Sequence, residues 1–132
     1  MSRKAIIKFA NTTAVGGETI SETAGSAITQ ASSEFAYMNV VLDVTITGTS
    51  PTITFAINEN FGGVFVQTAK SKAISATGKY ILCQGIVPPD QTSVLNNGAF
   101  WALGSGTAKQ VVTTVTGTQI VLNANIYFVF FD

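Results

Sequence analysis

Apolar and polar residues alternate along much of this chain with a period of two. Val40, Leu42, Val44 and Ile46 alternate with Val41, Asp43, Thr45 and Thr47. That period puts every second side chain on one face, so the segment reads as a strand with one oily side. After Gly48-Thr49-Ser50-Pro51 the pattern resumes, with Ile53, Phe55 and Ile57 set against Thr52, Thr54 and Asn58. Gly tolerates positive φ and Pro fixes its own, so the four intervening residues read as a turn. The two runs then form one long hairpin. Asn60-Phe61-Gly62-Gly63 turns the chain again, into Val64-Phe65-Val66.

The same reading gives a first strand over Ala5 to Phe9 and another from Lys79 to Gln84. Asn97-Gly98 is a two-residue hairpin signal between Ser93-Val94-Leu95 and Ala99-Phe100-Trp101. Val87-Pro88-Pro89 must be extended and is no central strand. No stretch shows helical periodicity. Residues 11–34 are mostly small and polar, so residues 1–34 are expected to form a partly extended arm with a short edge strand near Thr19-Ile20.

The end of the chain repeats an earlier phrase. Val44-Thr45-Ile46-Thr47-Gly48-Thr49 is similar to Thr113-Thr114-Val115-Thr116-Gly117-Thr118. Two similar hairpins, one in each half of a sandwich, are the simplest explanation. In the last strand Ile120, Leu122, Ala124, Ile126, Phe128 and Phe130 share a face, and Tyr127, Val129 and Phe131 make the other face apolar too. A strand apolar on both faces must be covered on both. It is therefore a central strand, or its end meets another subunit. Strands at this spacing without helices between them predict an all-β chain: one antiparallel β-sandwich or jelly-roll domain over residues 1–132.

Composition sharpens this. Charged residues make up 11% of the chain, and seven basic and seven acidic groups cancel. A free monomer ordinarily carries more charge, so much of the surface is expected to be covered by partners. The lysines are scattered apart from the Arg3, Lys4 and Lys8 cluster, which argues against nucleic acid as a partner. Lys8 interrupts the apolar run Ala5-Ile6-Ile7, so the start does not read as a signal peptide. No apolar run reaches the length of a membrane-spanning helix. The one cysteine, Cys83, excludes an internal disulfide and is expected to be a buried thiol.

The chain has no histidine, which removes the commonest general base and metal ligand. Its seven carboxylates show no paired spacing beyond Glu18 and Glu22. The expectation is a protein that is no enzyme and uses no cofactor or metal. Glu59, Asp43 and Asp90 would have to converge in a cleft to reverse it. Phe100 and Trp101 follow a tight turn and face opposite ways, so one of them is a candidate partner anchor.

Residues 36–55, from Ala36-Tyr37-Met38 through Gly48-Thr49-Ser50-Pro51-Thr52 to Phe55, resemble small virion proteins of tailed bacteriophages. Residues 36–84 carry the resemblance well, and 111–126 loosely. It departs at Asn60-Phe61-Gly62-Gly63, where Asp-Gly is usual, and at residues 86–110, which look inserted. The resemblance implies a capsid decoration (cement) protein, made in the host cytoplasm and carried on the virion surface. Its partner would be the major capsid protein or another virion protein, and it would self-associate, as trimers on threefold positions. The expected contact residues are Trp101, Phe100, Phe128, Phe130 and Phe131. A carbohydrate- or receptor-binding module of a tail or fibre, using Trp101 and Asp90, and a tail-tube or adaptor component are the alternatives.

Overall fold

The structure, a computed structural model, describes residues 4–35, 37–71, 73–83, 100–101 and 108–132. At Tyr37, Thr68, Ala69, Cys83, Phe100 and Trp101 it describes the backbone alone. In chain order the elements are β1 (Lys4–Val15), β2 (Thr19–Thr23), α1 (Ser26–Glu34), β3 (Tyr37–Phe61), β4 (Val64–Lys70), β5 (Gly78–Cys83), β6 (Phe100–Trp101) and β7 (Lys109–Phe131). The Asn97-Gly98 hairpin, the Pro88-Pro89 pair, Asp90 and the Cys83 side chain fall outside the described part.

Two long strands dominate. β3 and β7 run antiparallel from Tyr37 opposite Phe131 to Glu59 opposite Lys109. The ladder holds as far as Thr47 opposite Val121, shifts, and resumes at Thr52 opposite Thr116. Gly48-Thr49-Ser50-Pro51 is therefore not a hairpin turn. The residues before it and after it both pair with β7, and the four residues make a bend in one continuous strand. Gly117-Thr118 makes the matching bend in β7, with Thr49 opposite Thr118. The two repeated phrases face each other across one crease, in place of the two separate hairpins expected.

β1 and β2 cross the same crease. β1 pairs with the second half of β7, Val15 opposite Val121, and β2 with the first half, Thr19 opposite Thr114. The Gly16 N–H donates to the Ile120 carbonyl at 2.9 Å and the Gly17 N–H to the Val115 carbonyl at 2.7 Å, one bond on each side of the bend. Residues 4–15 and 19–23, part of the expected arm, are thus built into the sheet. α1 also departs from expectation. It is one short helix whose buried side chains are Ile28, Ala31 and Ser32, too small and too few to give a helical period in the sequence.

The crease divides the sheet into two layers. One holds β1, the second half of β7, the first half of β3, and β5 with β6; the other holds β2, the first half of β7, the second half of β3, and β4. The buried phase changes across the bend. β3 buries Met38, Val40, Leu42 and Val44 before it and Ile53, Phe55 and Ile57 after it. β7 buries Val111, Thr113 and Val115, then Ile120 through Phe130 at alternate positions. An irregular bend can insert the odd residue that keeps one face inward on both sides. Both inner faces enter a single core, joined by Ile28, Ile74 and Leu82. The expected all-β antiparallel sandwich is the architecture observed.

Two hydroxyls finish the edge of β3. Ser71 Oγ accepts from the Phe55 N–H at 3.0 Å, and Thr77 Oγ1 from the Ile46 N–H at 2.9 Å. Each satisfies a backbone donor that no strand partner reaches.

The crease is the tightest point. Gly48 and Gly117 have φ of +112° and +130°, and Ser50 and Gln119 are also left-handed. A Cβ on Gly16 would lie 2.0 Å from the Gly117 carbonyl oxygen, whereas one on Gly17 would meet nothing. Gly16→Ala is expected to cost about 3 kcal/mol in urea unfolding, because backbone must move. Gly17→Ala is expected to cost only about 1 kcal/mol, for its positive φ.

Candidate interaction surfaces

β7 lies between β1 and β3, so its inward phase is the centre of the sandwich. Phe128 and Phe130 belong to that phase and have no exposed surface. Their rings pack at 6.2 Å from each other, Phe128 at 5.6 Å from Phe9 and Phe130 at 6.2 Å from Phe35. They are core residues, which corrects the expectation that they contact a partner. The two-faced pattern marked a central strand. Phe131 is half-buried on the outer face. β6 pairs Phe100 with Met38 and Trp101 with Tyr37 through the backbone, which carries both residues to the same end of the sheet.

The outer face of the first layer is banded. Asn11 Nδ2 donates to Asn123 Oδ1 at 2.9 Å and to Asn125 Oδ1 at 2.8 Å. Asn125 is opposite Asp43, which is opposite Lys79, so this band is polar across four strands. Next to it Ile6 is opposite Val129, and Tyr127 is opposite Val41, which is opposite Ile81. Ile6 and Ile81 are exposed, and Val41, Tyr127 and Val129 are half-buried.

A second apolar surface is the β3–β4 hairpin. Gly62 and Gly63 both have positive φ, the requirement of a two-residue type I′ turn. Asn60 Oδ1 accepts from the Gly63 N–H at 2.8 Å and fixes it. Phe61, Val64, Phe65 and Val66 are 44%, 62%, 36% and 46% exposed. Neighbouring strand residues point to opposite faces. The hairpin therefore stands out from the sandwich as a tongue with apolar side chains on both sides.

At the base of the tongue the core ends in a charged pair. Lys109 Nζ lies 2.8 Å from Glu59 Oε1, and both side chains are completely buried. The pair is opposite in register and joins the ends of β3 and β7. Sequence reasoning missed it, though each charge continues the inward phase of its strand: Ile53, Phe55, Ile57, Glu59 and Lys109, Val111, Thr113, Val115. A second interior polar contact joins β1 to β2, where Thr12 Oγ1 donates to Glu22 Oε1.

Among the described residues, Asp43 and Glu59 do not converge, and Asp90 lies outside them. Asp43 is on the outer face of the first layer, and Glu59 is inside the second, engaged by Lys109. Among the described residues no three His, Cys, Asp or Glu side chains form a group able to hold a metal.

No protein family matches this chain, and no curated protein sequence matches it. Solved structures do. A chain of the T13 particle of infectious bursal disease virus matches over 97% of this chain and 30% of its own length, at 12% identity and a TM-score of 0.50. The fold is a jelly-roll sandwich. A chain of the Gx strain of the same virus matches over 100% of this chain and 32% of its own, at 12% identity and a TM-score of 0.47. A mitogen from Yersinia pseudotuberculosis matches over 98% and 86%, at 10% identity and a TM-score of 0.45. This jelly roll spans about a third of the length of the virus chains it matches.

Two predictions follow from the burial of these residues. Phe128→Ala is expected to destabilise the fold by about 3–5 kcal/mol in chemical denaturation, where an outward Phe would cost almost nothing. Breaking the ion pair with Lys109→Met leaves Glu59 buried and unpaired, and is expected to cost about 3–5 kcal/mol. The double variant Glu59→Met with Lys109→Met is expected to recover most of that in the same assay, since both desolvated charges are then gone.

Proposed function

We propose that this chain is a structural protein of a virus particle, acting through surface contact. The observation that carries the reading is the combination of the jelly-roll fold with low charge and the exposed apolar side chains of the outer face and of the β3–β4 hairpin. Large exposed apolar patches on a soluble domain mark contact sites. A jelly roll supports many functions, so the surfaces carry this argument and the fold alone does not.

Within that class the sequence resemblance supports a decoration protein of a tailed bacteriophage, bound to the outside of the major capsid protein. It works mechanically. A protein that binds the assembled shell and not its separated subunits lowers the free energy of the shell, by an amount set by its concentration and affinity.

Purified particles from the source virus test this. The chain is expected in intact particles by mass spectrometry, in many copies. Particles stripped of it should open at a lower temperature than particles to which the purified chain has been restored. Absence from washed particles would overturn the virion reading. Presence with no effect on the opening temperature would overturn the decoration role.

A further inference from the structure

β4 is the outer strand of its layer, in the order β1-β7-β3-β4. In a two-residue hairpin the flanking residues exchange backbone bonds, here Phe61 and Val64. The pattern then alternates along the strand. Val64 and Val66 turn their backbone groups towards β3, and Phe65 and Gln67 turn theirs outward. No described residue pairs with that outer side. The tongue thus presents an unpaired row of donors and acceptors flanked by exposed Val64, Phe65 and Val66.

Sheet edges of this kind are usually blunted by Lys, Pro or a bulge. The edges of the first layer follow that habit, for β1 carries Lys4 and Lys8 and β5 carries Lys79. β4 carries no charge from Val64 to Ala69; its one lysine, Lys70, sits at the far end, and its bulge, where Asn58 is opposite Gln67 and Ile57 is opposite Ala69, lies beyond the regular stretch from Val64 to Gln67.

We infer that the β4 edge is a self-association surface, pairing antiparallel with β4 of a second copy about a twofold axis at Val66. Three features select a second copy as the occupant. The outward groups of Phe65 and Gln67 are two residues apart, so Phe65 of one copy and Gln67 of the other can exchange both bonds, twice over. That register brings the two Val66 residues together as a non-hydrogen-bonded pair, whose Cα atoms approach to about 4.5 Å. The surface is uncharged and the chain has zero net charge, so copies do not repel. The β4-bearing layers of the two copies would then form one continuous sheet across the axis. A seven-residue edge is short against the roughly 1,600 Å² that a stable pair buries, so the dimer is expected to depend on concentration. The inference does not depend on the viral reading.

The test uses the full chain in a Cys83→Ser background. Light scattering over a concentration series is expected to show the mass rising from one chain to two. Phe65→Pro removes an outward N–H that β3 does not use, and Val64→Lys adds an edge charge. Both are expected to stay monomeric while keeping the circular dichroism of the parent. Val66→Cys is expected to form an intermolecular disulfide under mild oxidation, and Thr49→Cys, at the crease, is not. A parent that is monomeric at every concentration would overturn the inference. So would a dimer that survives Phe65→Pro and gives no Val66→Cys crosslink.

Discussion

Everything in this fold depends on the crease at Gly16, Gly48 and Gly117. Two long antiparallel strands, β3 and β7, and the turn from β1 to β2 cross it, and each must bend sharply without losing its partner. A sheet of alternating residues has one oily face, and a flat sheet would leave that face in water. Folding the sheet on itself removes both halves of the face from water at about 25 cal/mol per Å². The bend needs left-handed backbone at Gly48 and Gly117 and an approach at Gly16 too close for any Cβ. Ser50 and Gln119 are held left-handed as well, strain that persists because the paired strands on both sides over-determine it.

The crease also decides which residues are available for function. Because β7 crosses the middle of both layers, its long apolar phase is spent on the core, including Phe128 and Phe130. Among the described residues, the large apolar side chains left exposed lie at the margins, on the outer face around Ile6 and Ile81, at Val15 and Val121 beside the crease, and on the β3–β4 tongue beyond the buried Glu59–Lys109 pair. That pair closes the end of the core where the hydrophobic phase would otherwise run on into the tongue. The two charges are opposite in register, so a slip of β3 against β7 would leave each without its partner in the core. Such a slip would otherwise be tolerated by the repeating Val-Thr alternation.

Strand identity and inward phase were legible in the sequence, because period two is a local signal: Val40-Leu42-Val44, Ile53-Phe55-Ile57 and Ile120 through Phe130 are all inward as the pattern implies. Pairing was not legible at the bend. Gly-Thr-Ser-Pro is as suitable for a crease as for a hairpin turn, and the choice rests on contacts with β7 some seventy residues away. The repeated Thr-Gly-Thr phrase did hold the answer, since Thr49 and Thr118 are opposite each other; similar residues meet similar demands on the two sides of one fold line. α1 escaped because its buried side is one Ile, one Ala and one Ser. The Phe128 and Phe130 assignment failed because a strand with two apolar faces has two explanations, and flanking strands on both sides select the central one.

The most direct test of this account is the backbone proton contacts of the labelled protein by nuclear magnetic resonance. A creased sheet predicts contacts between Thr45 and Asn123 and between Thr54 and Thr114, strands that are paired on both sides of the bend. Backbone contacts between Thr45 and Thr54, which a hairpin closed by Gly48-Thr49-Ser50-Pro51 requires, would contradict it.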